Sequence, residues 1–308
     1  MIKIRVRIAL AAIALSQPHD ALSQAPAIVQ EFATARVAAR GGTGIANDGE
    51  PDSRFVNPSL LADSAILSVV VGTFRMAVSD VDETRAGVTG RFGKWGDVAI
   101  DARQRRVNKL FDDPTLAADP SLQVTEGSFR FTYARRIGNR IRLGAASEYF
   151  SSSIFGTTGG GRTTDVGMNI MLTTRLEMGV VGRHLDGAYV WHDESGAQWA
   201  SSLGRNAGVG LAWRPLATRR TIGVTIRVDR DIALEQAASE SWRGGVTIKM
   251  LRFLFLQAGS RMQHRPTKEV AASAGMSVRV RGMTVDIARD HLGALVGERT
   301  LIAATLSR

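Results

Sequence analysis

From Ala65 onward the dominant period of the chain is two. In SFRFTYAR, Phe129, Phe131 and Tyr133 fall on one face, and Ser128, Arg130 and Thr132 on the other. TIGVTIRVD sets Ile222, Val224, Ile226 and Val228 against Thr221, Gly223, Thr225, Arg227 and Asp229. VAASAGMSVRV repeats the pattern, with Val270, Ala272, Ala274 and Met276 opposed to Ser273, Gly275 and Ser277. Alternation of this kind is the mark of strands with one apolar and one polar face. It predicts about fourteen strands, at 65–75, 84–92, 96–106, 125–136, 139–150, 163–174, 177–187, 205–214, 219–230, 240–250, 253–263, 269–280, 282–291 and 297–307.

The connections alternate too. Tight turns are predicted at 93–95, 137–139, 174–175, 215–219, 251–252 and 281–282, and long links at 107–125, 151–162, 188–204 and 231–240. Short turns at one end and long loops at the other are the habit of membrane β-barrels. Strands of about nine to twelve residues suit a tilted bilayer crossing. The predicted fold class is therefore all-β: an antiparallel transmembrane barrel of about fourteen strands with an N-terminal plug-like segment. Its apolar face meets lipid, because only a closed ladder satisfies every backbone polar group in hydrocarbon. Trp95 and Trp213 fall at short-turn ends, where an interfacial aromatic girdle is expected. The inner face is rich in Gly, Ser, Thr and Arg, which predicts a polar and somewhat positive lumen. Arg103, Arg130, Arg142, Arg227 and Arg279 are the candidate lining residues, with Asp97, Asp101, Asp229 and Asp286 available to balance them.

The N-terminal part is different. Residues 1–25 have the form of a cleaved signal peptide, with Lys3, Arg5 and Arg7 ahead of the apolar IALAAIAL and then small residues. That apolar run is well short of the roughly 20 residues a membrane helix needs. Residues 26–64 are glycine-rich and irregular, and 65–308 form the predicted barrel. A lumen of fourteen strands is wider than its own side chains fill, so the irregular segment is expected to plug it. Gly41, Gly42 and Gly44 permit close approach to the wall, and Asp48, Asn57 and Pro58 suit compact turns.

In this segment the order Arg36, Ala39, Gly41, Gly42, Ala46, Asp48, Asn57, Pro58, Leu61 and Ala62 resembles the N-terminal signature of the FadL-like and PorV/PorQ-like outer-membrane barrels. Ser59 stands where those families usually have Ala, and Arg40 where PorV-like sequences often have Met. The resemblance implies an outer-membrane location reached through a cleaved signal peptide. It also implies one of two roles. FadL-like barrels pass hydrophobic small molecules, with the plug as binding pocket and gate. PorV/PorQ-like barrels work with secretion-system proteins. On either role Arg36, Gly41, Gly42, Asp48, Asn57 and Pro58 carry the plug or gate.

Composition removes other classes. The chain has 308 residues, no cysteine and a formal net charge of +10. Disulfides, thiolate metal sites and cysteine nucleophiles are excluded. The basic residues are scattered along strands, with no basic helix or aromatic–basic cluster, so the charge does not point to nucleic acid. GGTGIAN lacks the strand-then-helix context of a dinucleotide loop. GTTGGGRT has Arg162 where a phosphate-binding loop needs Lys, and leads into a strand. His184, His192, Asp193 and Glu194 lie in a long link without metal-ligand spacing. No catalytic constellation, metal site or cofactor is expected, and the partners expected are outer-membrane lipid and either a hydrophobic solute or secretion proteins. A general or anion-preferring porin, or a purely structural barrel, is the alternative.

Overall fold

The computed structural model describes residues 34–46, 50–63, 67–76, 81–107, 124–154, 157–193, 195–217, 222–235, 240–264, 268–291 and 298–307. The expected signal peptide, Asp48 and most of the link at 107–125 lie outside these residues.

The described strands are β1 (Leu67–Met76), β2 (Val81–Arg91), β3 (Asp97–Val107), β4 (Val124–Ile137), β5 (Ile141–Ile154), β6 (Thr157–Met171), β7 (Leu176–Arg183) and β8 (Ala188–His192). They continue with β9 (Gln198–Ser202), β10 (Asn206–Ala217), β11 (Ile222–Ala233), β12 (Glu240–Met250), β13 (Leu254–His264), β14 (Lys268–Val280), β15 (Met283–His291) and β16 (Glu298–Ser307). Neighbours pair antiparallel, and β1 pairs with β16, which closes the sheet. The closed wall has fourteen strands; β8 and β9 form a further short hairpin. β6 pairs with β7 over Val166–Met171 and with β8 over Thr158–Arg162, so β8 prolongs β7 beyond an irregularity at 184–187. His184 has a positive φ of 57° at that break.

Two of the long links predicted from sequence are therefore partly strand. Much of 151–162 belongs to β5 and β6, and 188–204 holds the β8–β9 hairpin. The tight turns expected at 93–95, 137–139, 174–175, 251–252 and 281–282 fall between strands, whereas β10 runs on to Ala217 and the rest of the turn expected at 215–219 lies outside the described residues. Arg281 (φ 46°) and Gly282 (φ 86°) make a two-residue hairpin with both central residues left-handed, the form that matches strand twist. Ser307 N–H donates to Gly282 O at 2.8 Å, which puts the C-terminal strand end beside that turn.

The two faces separate cleanly. Phe129, Phe131, Tyr133, Val228, Met276 and Ile302 are exposed on the outer face, and Arg103, Arg130, Thr132, Arg227 and Asp229 are buried within. An apolar exterior around a closed backbone ladder is the arrangement hydrocarbon demands, so the barrel is one that spans a membrane. Trp95 and Trp213 are 71% and 50% exposed at the short-turn end. None of the described helices is long and apolar enough to cross a membrane.

Candidate functional site: the lumen and its occupant

Residues 34–46 and 50–63 lie inside the barrel. Thr34 caps the short helix α1 (Ala35–Ala39), its hydroxyl accepting from Val37 N–H at 3.1 Å. Two 3-10 turns follow, Pro51–Phe55 and Pro58–Asp63. Val37, Arg40, Thr43, Ile45, Ala46, Arg54, Val56, Asn57 and Leu60 have no measurable exposure.

Bonds hold this segment to strands all round the wall. Arg36 makes a forked contact to Asp286 on β15, at 2.8 and 3.0 Å. Gly41 N–H donates to Ser273 Oγ on β14 at 2.9 Å, and Arg243 on β12 donates to Gly42 O at 3.0 Å. On β11, Asp229 accepts from Gly44 N–H and Ile45 N–H at 2.7 and 3.0 Å. Arg54 bonds Asp101 on β3 at 2.6 and 3.0 Å, and Arg183 on β7 donates to Val56 O at 3.0 Å. The Asn57 amide donates to Ile45 O, Met168 O and Val180 O at 2.8, 3.2 and 3.4 Å. Three of the aspartates that the sequence offered as counter-charges for lumen arginines, Asp101, Asp229 and Asp286, thus hold the segment.

Close approach of the segment's side chains and backbone explains the inward glycines. A Cβ at Gly167 on β6 would lie 1.9 Å from Asn57 Oδ1, and one at Gly259 on β13 would lie 2.1 Å from the Arg40 carbonyl carbon. The wall is pared to bare backbone where the segment rests on it. Gly41 is itself left-handed (φ 68°), with its Cβ position 2.6 Å from the Ser260 backbone. Gly42 has a φ of 80°. Pro58 opens the second 3-10 turn, whose carbonyl carbon rests against Gly144 of β5.

Within the segment, Glu50 pairs with Arg40 and lies 3.8 Å from Arg36. Burial works against the Glu50 carboxylate, but Arg40, Arg36 and Arg227 outweigh it and hold its pKa well below the usual carboxylate range.

Arg103, Arg130, Arg142 and Arg227 line the lumen as the alternation predicts, and each is bonded. Arg103 and Arg130 share Glu148 at 2.6 and 3.1 Å; Arg130 reaches Asp165 at 2.8 Å; Arg142 meets Glu177 at 3.1 Å. Arg227 donates to Thr247 Oγ1 at 2.9 Å. Arg279 lies on the same face of its strand but stands exposed at the turn end, over the Phe255 ring. The described buried residues include twelve arginines and twelve carboxylates, so this interior is balanced, not positive. That differs from the expected positive lumen. The alternation offered four of the inward acids, Asp97, Asp101, Asp229 and Asp286, but not the other eight that are buried beside them.

Sequence reading missed an aromatic pile at the loop end. Phe150 stacks on Tyr189 (centroids 5.2 Å apart, 7° between planes), Tyr189 meets Trp191 edge-on at 4.6 Å, and Trp191 stacks on Trp199 at 6.4 Å. Leu203 is buried with them. Gly159 and Gly161 on β6 make room: Cβ atoms there would meet the Tyr189 ring at 2.5 Å and the Phe150 ring at 2.9 Å. The indole N–H groups of Trp191 and Trp199 are buried without an acceptor among the described residues. Beside the pile, an open pocket reaches Arg103, Glu126, Ser128, Phe150 and Gly159 within and Phe129 and Tyr149 at its outer edge. The period-two Tyr-Val-Trp of 189–191 was the available signal; Tyr189 and Trp191 point inward, as Phe150 does. His192 starts the tip of this hairpin, and Asp193 caps it by accepting from Ser195 Oγ and Ala197 N–H at 2.6 and 2.8 Å. His184 lies at the break before β8, 3.2 Å from Thr163 Oγ1.

Solved structures of the same fold include the CymD monoaromatic hydrocarbon channel, with a TM-score of 0.64 and 12% identity over 90% of this chain and 97% of that one. The Pseudomonas putida toluene transporter TodX gives 0.60 and 11% over 89% and 98%. A Pseudomonas aeruginosa FadL homologue gives 0.55 and 11% over 89% and 98%. The fold is that of the FadL-like outer-membrane β-barrels. No protein-family model matches the chain, and no curated protein matches it either.

Proposed function

We propose that this chain is an outer-membrane channel for small hydrophobic molecules, exported by its signal peptide and closed at rest by residues 26–64 acting as a plug. The observation that carries the reading is the occupied lumen: the N-terminal segment is bonded to β3, β7, β11, β12, β14 and β15 at once. A diffusion porin needs an open polar passage, and an anion-selective one needs uncompensated positive charge. The balanced buried charges favour neither. The aromatic pile gives a hydrophobic solute a place to dwell above the plug, and its two indole donors suit an acceptor on that solute. Neighbours of this fold are named as carriers of monoaromatic hydrocarbons and toluene, and as channels they fit a non-enzymatic role.

Arg36, Gly41, Gly42, Asn57 and Pro58 act in this reading as the plug's anchors, with Asp48 between them in sequence. The secretion role implied by the PorV/PorQ-like signature has less support, because the signature residues Arg36, Gly41 and Asn57 are bonded to the wall. The test is tryptophan emission of the purified barrel titrated with toluene. A saturable change, lost in Trp191→Ala and Trp199→Ala, supports the channel reading. A linear, unsaturable change in all forms refutes it.

A further inference from the structure

The short-turn end of the barrel carries exposed charge of one sign. Lys94 stands in the first tight turn, Arg135 and Arg140 flank the second, Arg175 lies in the third, Arg252 in the fifth and Arg281 in the sixth. The carboxylates nearest these turns, Asp97 and Glu177, are buried and held by Arg91 and by Arg142 and Arg214. No exposed carboxylate stands on the described strands and turns of this end. The opposite end is mixed: Arg75 faces Asp82 at 3.8 Å, Arg205 bonds Glu235 at 2.6 Å, and Arg289 pairs with Glu298.

Placement of the cations gives the asymmetry a meaning. Phe92, Trp95, Tyr133, Trp213 and Phe253 are exposed at the same end, where the apolar outer face stops. The Lys94 amine lies 5.5 Å from the Trp95 ring and the Arg279 guanidinium 5.2 Å from the Phe255 ring. Aromatic residues at that level mark the depth of lipid headgroups, and long basic side chains beside them reach into it.

We infer that this rim binds the phosphate of anionic phospholipid headgroups in the leaflet on the plug's side of the membrane. The charges occupy five of the six tight connections, so they encircle the barrel. A surrounding lipid surface meets such a ring along its whole length, whereas a protein partner would meet one sector of it. The inference needs only that the barrel spans a bilayer, and it holds whatever solute the barrel carries.

The test is native mass spectrometry of the full chain in mild detergent, with phosphatidylglycerol and phosphatidylcholine of identical acyl chains supplied in equal amounts. A basic residue near an anionic surface is worth roughly a five-fold change in partition, so the expected preference for phosphatidylglycerol is on the order of five-fold or more. Replacing Lys94, Arg135, Arg140, Arg175, Arg252 and Arg281 by Gln should bring retention of the two lipids to parity. Replacing the five arginines by Lys should keep the preference, as should the loop-end pair Arg75→Gln and Arg289→Gln. Heat-modifiable migration reports folding of each variant. If the Gln variant does not fold, the native chain at high salt decides, because screening must remove a preference of this origin. Equal retention by the native chain, a preference that survives the Gln variant or high salt, or one lost in the loop-end pair overturns the inference.

Discussion

The side-chain amide of Asn57 occupies the space that any side chain at position 167 would need: a Cβ on Gly167 would lie 1.9 Å from Asn57 Oδ1. From that seat Asn57 bonds carbonyls of its own segment and of two strands. Gly167→Val is expected to expel the amide and cost about 1–3 kcal/mol, the usual penalty of overpacking. The measurement is the thermal midpoint of heat-modifiable migration. A midpoint unchanged from the native chain would show that the seat is not needed.

The Arg36–Asp286 fork joins residues 250 apart in sequence, with both side chains buried. Removing one partner of a buried pair is expected to cost about 3–5 kcal/mol, because the other charge is stranded. Arg36→Gln and Asp286→Asn should each expose residues 35–46 to hydrogen exchange, and the double variant should recover part of the loss. Additive effects in this cycle would mean that the pair does not hold the segment.

Glu50 gives the plug a pH profile. Its carboxyl is depressed in the folded chain by Arg40, Arg36 and Arg227 against the cost of burial. A depressed carboxyl contributes stability that is complete above its unfolded value, about 4.3, and is lost as pH falls through the lower folded value. Acidifying from pH 7 to about 5 should therefore leave protease protection of the segment unchanged, with loosening only below about 4. Glu50→Gln should loosen it already at pH 7, with the difference from the native chain vanishing in acid. Release between pH 7 and 5 would contradict this assignment.

At the loop end, Gly159 leaves room for Tyr189, whose ring a Cβ would approach to 2.5 Å. Gly159→Val should displace the β8–β9 hairpin and weaken saturable toluene binding about ten-fold or more, the equivalent of about 1.4 kcal/mol. Hydrogen exchange in residues 35–46 should stay as in the native chain. Undiminished binding would separate the aromatic pile from the solute.

Much of this was legible in the chain. Period-two alternation with an apolar outer face depends on local chemistry alone, and it located the wall strands, most of them to within a few residues, as Phe129–Tyr133 and Ile222–Val228 illustrate; β6 begins six residues earlier than the alternation places it, at Thr157. The plug's partners were not legible in the same way. Asp101, Asp229 and Asp286 alternate inward like any lumen acid, and only the closed fold reveals that they meet Arg54, Gly44 and Arg36. Inward glycines such as Gly167 and Gly259 read only as part of a polar inner face, because the Asn57 amide and the Arg40 backbone that need their space come from more than a hundred residues away. The β8–β9 hairpin escaped because it falls in a stretch whose length reads as a loop, and because Tyr189 and Trp191 turn inward where most wall positions are polar.

The most direct test of the central claim is planar-bilayer conductance of the full chain beside a chain lacking residues 35–63, with heat-modifiable migration confirming that both barrels fold. A plugged channel predicts a native chain that is nearly silent and a deletion that opens a large, steady conductance. A native chain that already conducts as an open pore, with the deletion unchanged, would contradict the account and leave a porin in its place.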